Sequence, residues 1–127
     1  MDEKKIPILV GSGQITQREQ DPLVALSPMD LTASAGFKAA DDTHIGKSIL
    51  EKLDTIVVIR SFSDTSWRFK CPFGKYSNPP LSLSKRLGAE NVNRLIYTYP
   101  GGNMPQWCVN RMFEMVTRGE LEIGMIA

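Results

Sequence analysis

Hydrophobic positions follow two alternating patterns along the chain, and together they predict an α/β domain. Short apolar runs bounded by glycine, proline or charged residues indicate strands, whereas apolar residues three to four positions apart indicate helices. The strand-like runs are 6–10, 54–60, 93–98 and 121–127. The helix-like stretches between them are 27–46 with a short addition at 47–53, then 80–87 and 103–118. The order βαβαβαβ predicts a mainly parallel or mixed sheet with helices on its faces.

The second run, Asp54 to Arg60, is the clearest strand because its succession of β-branched residues indicates burial on both faces. The first run, Ile6 to Val10, is also interpreted as a buried strand, which ends at Gly11-Ser12-Gly13. Residues 14–17 can continue it across a bulge at the glycines.

Cap residues support three of the predicted helices. Ser27 is a suitable N-cap followed by Pro28, and Gly88 is placed to end the helix over 80–87. At the last helix, Asn103 is a good N-cap and Gln106 can complete a capping box. The predicted apolar face of this helix contains Trp107, Val109, Met112, Phe113 and Val116.

The amino-acid composition of the chain argues against several classes of function. The chain has 127 residues, with 15 basic and 14 acidic residues and a net charge of +1, which predicts no large surface for nucleic acid. The start, Met1 to Pro7, lacks the pattern of a signal peptide, and no apolar run approaches the roughly 18 residues of a membrane helix. With only two cysteines, Cys71 and Cys108, we expect a reduced, cytoplasmic protein. A single histidine, His44, excludes a metal site built on several histidines and is expected to be a helix-end cation.

A long irregular stretch, residues 61–80, separates the second strand from the next helix. It contains Trp67-Arg68-Phe69-Lys70, which mixes aromatic rings with cations. Stacking on nucleic acid is one interpretation. The balanced charge favours the other, in which the aromatic loop over residues 62–79 packs on a partner chain or domain.

Two glycine motifs are candidates for ligand binding. Gly11-Ser12-Gly13 has part of a dinucleotide-binding pattern, but Thr16 stands where the third glycine is needed, so a bulge or turn is favoured over a nucleotide site. The corner Gly101-Gly102-Asn103 leads from a strand into a helix. Its N–H groups can hold a phosphate, a carboxylate or a developing oxyanion, or it is an ordinary tight turn.

The two thiols are weak candidates for nucleophiles on sequence grounds. Cys108 lies about five residues into the last helix, beyond the first turn where a thiolate is stabilised, so we expect a buried packing role. Cys71 is expected to be more exposed, but no base lies near it in sequence.

Four stretches carry a resemblance to a known family, in the same order along the chain. They are I-P-I-L-V-G-S-G-Q-I-T-Q-R (6–18), D-T-I-V-V-I-R-S-F-S (54–63), Y-P-G-G-N-M-P-Q-W-C-V-N-R (99–111) and R-G-E-L-E-I-G-M-I-A (118–127). The set resembles the N-terminal part of the thiolase superfamily. The most similar branch is the acetyl-CoA acetyltransferase-like proteins related to sterol-carrier-protein thiolases.

The resemblance implies a fold of two similar halves in five α-β-α-β-α layers, of which residues 1–127 would be a partial N-terminal domain. It places the acyl-accepting cysteine of active thiolases at Gly102, where Gly101, Gly102 and Asn103 stand instead. It implies that the other catalytic groups come from a C-terminal half. No cofactor is implied, and the substrate would be a coenzyme A thioester.

Two hypotheses of function follow. In the first, the parent protein is a thiolase-type acyltransferase, Gly101, Gly102 and Asn103 line the acyl pocket, the isolated chain is inactive, and Cys108 is an unorthodox nucleophile at most. In the second, the domain is non-catalytic and binds acyl-CoA or lipid, or pairs with another subunit. Either way, we expect a homo-oligomer or a missing C-terminal half as partner, and neither nucleic acid nor membrane. An unrelated nucleotide-binding domain is a weaker third possibility.

Overall fold

A computed structural model describes residues 5–127 and contains a parallel sheet of three strands with helices on both of its faces. The opening residues 1–4, part of the segment used to predict the lack of a signal peptide, lie outside the described residues. The chain also contains two 3-10 helices, one of seven residues (Gly46–Lys52) and one of three (Phe62–Asp64). In chain order, the main elements are α1 (Pro28–Asp42), β1 (Thr55–Val58), α2 (Pro79–Leu87), β2 (Arg94–Tyr97), α3 (Met104–Thr117) and β3 (Gly124–Ile126).

The central strand of the sheet is β1, which confirms the strand predicted over residues 54–60. The order is β2-β1-β3, and Thr55 is in register with Arg94 on one side and Gly124 on the other. All four residues of β1 are buried, because helices cover both of its faces. The predicted α/β class with a parallel sheet is confirmed.

The two faces of the sheet are covered by different helices. On one face, α1, α2 and the 3-10 helix Gly46–Lys52 form a core with Ile56 and Val58 of β1. On the other face, α3 alone packs its residues on Val57, together with Leu121 from the segment before β3.

The prediction of a first strand over Ile6 to Val10, continued by residues 14–17, is wrong. Residues 5–20 form no strand, and Ile6 and Leu9 are 82% and 80% exposed. The following glycines form no strand bulge, because they lie against the backbone of α1. A β-carbon on Gly11 would stand 2.4 Å from the carbonyl oxygen of Ala39. An apolar run becomes a strand only where another strand accepts its hydrogen bonds, and in the described chain this segment meets a helix instead.

The predicted N-cap of α1, Ser27, is confirmed, and the prediction of a capping box at α3 is wrong. Ser27 Oγ accepts a hydrogen bond from the N–H of Asp30 at 3.1 Å. Asn103 has φ −84° and ψ −13°, which is helical rather than the extended conformation that aims an N-cap side chain at the first turn. Its side chain therefore makes no capping hydrogen bond, and Gln106 donates to Asn110 instead, at 2.9 Å.

The buried face of α3 is rotated from the predicted one. Trp107 is 51% exposed and Phe113 is exposed as well, although both were expected to face the core. Met112 is buried as predicted. The residues that fill the core share the spacing of one helix face, and they are Met104, Cys108, Met112 and Met115.

Candidate functional site

The glycine corner lies where β2 leaves the sheet and α3 begins. Gly101 has φ +145°, a conformation that favours glycine, and the N–H of Met104 donates to the Gly101 carbonyl at 3.1 Å to close the turn. A β-carbon on Gly101 would also stand 2.7 Å from Oδ1 of Asn103. The corner is thus a tight turn at the carboxyl edge of a parallel sheet, the edge where α/β folds bind ligands.

The corner offers hydrogen-bond donors but no thiol. Among the hydrogen bonds of residues 5–127, neither the N–H of Gly102 nor that of Asn103 has an acceptor. Both residues are exposed, and a β-carbon on Gly102 would meet nothing within 4 Å. Two N–H groups at the start of a helix can donate to a carboxylate, a phosphate or a polarised carbonyl oxygen.

The nearer of the two thiols in sequence, Cys108, is buried one turn further along α3. It is 1% exposed and packs with Val57, Met112 and Met115, so the predicted burial is confirmed. Burial raises the pKa of the Cys108 thiol, which disfavours the thiolate that nucleophilic attack requires. Cys71 is partly exposed, in the aromatic loop.

A polar cluster at the same edge of the sheet was missed by the sequence reasoning. Arg60, just after β1, donates from Nε to the carbonyl oxygen of Thr98 at 3.1 Å, and its guanidinium lies 4.4 Å from the centre of the Tyr97 ring. The Tyr97 hydroxyl donates to the carboxylate of Asp64. Burial, together with this hydrogen bond, raises the pKa of Tyr97 to about 12. The sequence contains one indication of this cluster, which is that Arg60 and Thr98 each follow a strand. Because these two strands are parallel neighbours, their ends meet at the same edge of the sheet.

This cluster connects the aromatic loop to the sheet edge. Asp64 ends the 3-10 helix that opens the loop, and Tyr97 ends β2. Beyond Asp64, the rings of Trp67 and Phe69 are exposed, and Phe69 lies 6.1 Å from Phe62 between ring centroids. The loop is therefore fixed at its start and presents aromatic surface further along.

His44 lies away from these groups in the chain, two residues past the end of α1, where it is exposed with φ 65°. Within residues 5–127, no three His, Cys, Asp or Glu side chains are grouped so that they could hold a metal ion. In the same part of the chain, no helix has the length and the apolar character needed to cross a membrane.

Comparison with known proteins identifies the fold. No protein-family model matches the chain, and no curated protein matches it. Among solved structures, a monomeric SCP2-thiolase-like protein, type 1, from Mycobacterium smegmatis matches with a TM-score of 0.76 at 23% sequence identity. The match covers 99% of this chain and 23% of that chain. The predicted thiolase-like fold is confirmed, and this chain spans about a quarter of the length of the structure it matches.

Proposed function

We propose that this chain binds acetyl-CoA or another acyl-CoA at the corner Gly101–Asn103 without forming a covalent acyl intermediate on its own residues. One observation carries the proposal. The corner presents the free N–H groups of Gly102 and Asn103, while the adjacent thiol, Cys108, is buried with a raised pKa. The thiolase-like fold is the reason for choosing a coenzyme A thioester over other ligands with an acceptor oxygen.

The chemistry available at the corner is binding and polarisation. In this proposal the two N–H groups donate to the carbonyl oxygen of the thioester, which orients the acyl group and draws electron density towards that oxygen. Attack on the carbonyl carbon needs an exposed nucleophile, and the corner itself has only glycine backbone and an amide side chain. The ligand is therefore held and released with its thioester bond unbroken.

A second candidate is a thiolase-type acyltransferase in which the reacting groups lie outside this chain. It is favoured by the coverage of the structural match, since this chain corresponds to 23% of the matched chain. In that case the corner lines the acyl pocket of a longer protein or of an assembly of copies. Such a protein would act in the cytoplasm, where the reducing environment keeps cysteines free. The exposed aromatic loop would be the surface that meets the remaining part.

Calorimetric titration of the chain with acetyl-CoA and with free coenzyme A tests the proposal. We expect acetyl-CoA to bind more tightly, because free coenzyme A ends in a thiol and lacks the thioester carbonyl oxygen to which the two N–H groups would donate. Gly102→Asp should weaken acetyl-CoA binding about tenfold or more, since its carboxylate competes for those donors and repels the polarised oxygen. Gln20→Asp, which adds the same charge to an exposed position elsewhere, is the matched control. Equal affinity for both ligands, or an unchanged affinity in Gly102→Asp, would contradict the proposal.

A further inference from the structure

The middle of the aromatic loop combines exposed rings with a local excess of positive charge. The rings of Trp67 and Phe69 are 78% and 54% exposed. Residues 65–78 include no acid and three cations, which are Arg68, Lys70 and Lys75. Because the net charge of the whole chain is only +1, the remaining residues are together net negative. The loop is therefore a cationic and aromatic surface that is not evident from the composition of the chain.

The three cations of the loop are available to an anionic ligand. They are exposed, and they take part in none of the ion pairs among residues 5–127. The one acid of the loop, Asp64, already accepts the hydrogen bond from the Tyr97 hydroxyl. The guanidinium of Arg68 lies 5.6 Å from the centre of the Trp67 ring and covers one of its faces. Since most of the indole is exposed, its other face can stack on a planar ring of a ligand.

Hydrogen bonds hold both ends of the loop on one side of the sheet. At the start, Tyr97 donates to Asp64. Near the end, the Tyr76 hydroxyl accepts from Arg86 at 3.3 Å and donates to Ser27 at 3.4 Å. Both tyrosines pack against the core beneath α1 and α2. The ends of the loop are thus held opposite the α3 side, on which the second half of a five-layer fold would pack.

The loop begins at the same edge of the sheet as the glycine corner. Arg60 donates to the Thr98 carbonyl at 3.1 Å, and three residues of chain, at most about 11 Å when extended, join Thr98 to Gly101. Phe69 folds back to lie 6.1 Å from Phe62 between ring centroids. The arm of coenzyme A between its sulfur and its pyrophosphate has as many chain atoms as four residues of backbone, so it extends to roughly 14 Å. A thioester held at the corner can therefore direct its nucleotide to the loop.

We propose that the aromatic loop binds the adenine nucleotide portion of coenzyme A, with the adenine ring on Trp67 and the phosphates on Arg68, Lys70 and Lys75. This portion has three phosphate groups and one planar ring, which match the three cations and the exposed indole. The choice of coenzyme A rests on the proposed function at the corner, whereas affinity for an adenine nucleotide rests on the loop alone. A nucleic acid fits less well, because its further phosphates would meet the net negative remainder of the chain.

Three probes separate the contacts at the corner from those at the loop. They are acetyl-CoA, S-acetylpantetheine, which lacks the nucleotide, and adenosine 3′,5′-bisphosphate, which lacks the thioester and the arm. In calorimetric titrations of the full chain, acetyl-CoA should bind at least about tenfold more tightly than S-acetylpantetheine, and the bisphosphate should bind alone and compete with acetyl-CoA. Equal affinity for acetyl-CoA and S-acetylpantetheine would overturn the loop site and leave the corner. Acetyl-CoA binding no tighter than the bisphosphate would support the loop site and contradict the corner.

Variants at exposed positions locate the nucleotide on the loop. Trp67→Leu should weaken bisphosphate binding about tenfold, whereas Trp67→Phe, which keeps a ring, should weaken it less than about threefold. Lys70→Gln should weaken it about fivefold. Lys52→Gln is the matched control, because it removes an exposed cation that lies before β1, at the opposite edge of the sheet, and it should leave the affinity unchanged.

Three results would overturn the loop site. One is unchanged bisphosphate affinity in Trp67→Leu. Another is an equal loss in Lys52→Gln and Lys70→Gln, which would indicate attraction to positive charge anywhere on the chain. The third is a single-stranded oligonucleotide that binds more tightly than the bisphosphate at the same salt concentration, which would make the loop a nucleic-acid surface.

Discussion

Gly13 packs directly on the backbone of α1 at Ala35. A β-carbon on Gly13 would stand 2.2 Å from the Ala35 carbonyl oxygen, and 2.5 Å from the backbone nitrogen of Ala39. Backbone atoms cannot move aside as the end of a flexible side chain can. Between the two glycines, the N–H of Ser12 donates to the carboxylate of Asp42 at 2.8 Å. The Gly-Ser-Gly motif therefore attaches the N-terminal segment to α1, and no helix opens behind it to bind a nucleotide.

We expect Gly13→Ala to destabilise the chain by about 1 to 3 kcal/mol, the usual cost of forcing an extra carbon into a packed site. The free energy of unfolding in urea measures the change. Gly102→Ala is the matched control for stability, because its β-carbon meets nothing within 4 Å, and it should change the free energy by less than about 0.5 kcal/mol. Equal stability of Gly13→Ala and the unmodified chain would show that the segment does not pack on α1 in solution.

The elements with strong local signals could be predicted from the sequence. The β-branched run around Ile56 has few alternatives to a buried strand, and Ser27-Pro28 specifies where a helix begins. The segment around Leu9 has an equally apolar pattern, yet it forms no strand. Whether an apolar run joins a sheet depends on which neighbour it meets, and this is not encoded in its own residues.

The two predicted N-caps should differ in their contribution to stability. Ser27 bonds to the first turn of α1 and its hydroxyl donates to Asp30 at 2.8 Å, so Ser27→Ala should cost about 1 to 2 kcal/mol. Asn103 makes no capping bond, so Asn103→Ala should cost less than about 0.5 kcal/mol. Urea denaturation of both variants checks the difference. A loss of stability in Asn103→Ala larger than about 0.5 kcal/mol would indicate that the Asn103 side chain does form the capping bond predicted at α3.

The burial of Tyr97 and its hydrogen bond to Asp64 should make stability depend on pH in the alkaline range. The pKa of Tyr97 is raised to about 12, above the value of about 10 in an unfolded chain. Folding thus favours the protonated phenol, and the stability it contributes is complete below pH 10 and is lost as the pH rises towards 12.

Tyr97→Phe removes this titration. At pH 8 the variant should be less stable by about 0.5 to 1.5 kcal/mol, the usual worth of one hydrogen bond, and the deficit should shrink between pH 10 and pH 12. Urea unfolding at each pH gives both free energies. A deficit that stays constant across this range would mean that Tyr97 titrates normally and that the polar cluster does not hold the start of the aromatic loop.

The two cysteines should react at very different rates with iodoacetamide. Cys71 is partly exposed, whereas Cys108 is buried with a raised pKa, so under native conditions only Cys71 should be alkylated rapidly. Peptide mass spectrometry locates the label, and adding urea should make Cys108 react as well. Equally fast labelling of Cys108 in the native chain would contradict its place in the core.

The candidate site could be predicted in part. The strand-to-helix corner at Gly101 was evident from its glycines and from the apolar runs on either side. The polar cluster was not, because Arg60 and Tyr97 are 37 positions apart in the sequence and meet only through the parallel pairing of their strands. The exposure of Trp107 was missed for a similar reason. Helical spacing defines a face of α3, but the sheet beneath decides which face is buried.

Intact-mass spectrometry after incubation with acetyl-CoA, at concentrations where calorimetry shows binding, distinguishes non-covalent binding of the thioester from acyl transfer to the chain. We expect the chain to bind the thioester and to keep its original mass, because the corner Gly101–Asn103 holds no nucleophile and Cys108 is buried as a thiol. A mass increase of one acetyl group that maps to Cys108 and is lost in Cys108→Ser would contradict binding without a covalent intermediate and establish covalent acyl transfer on this chain.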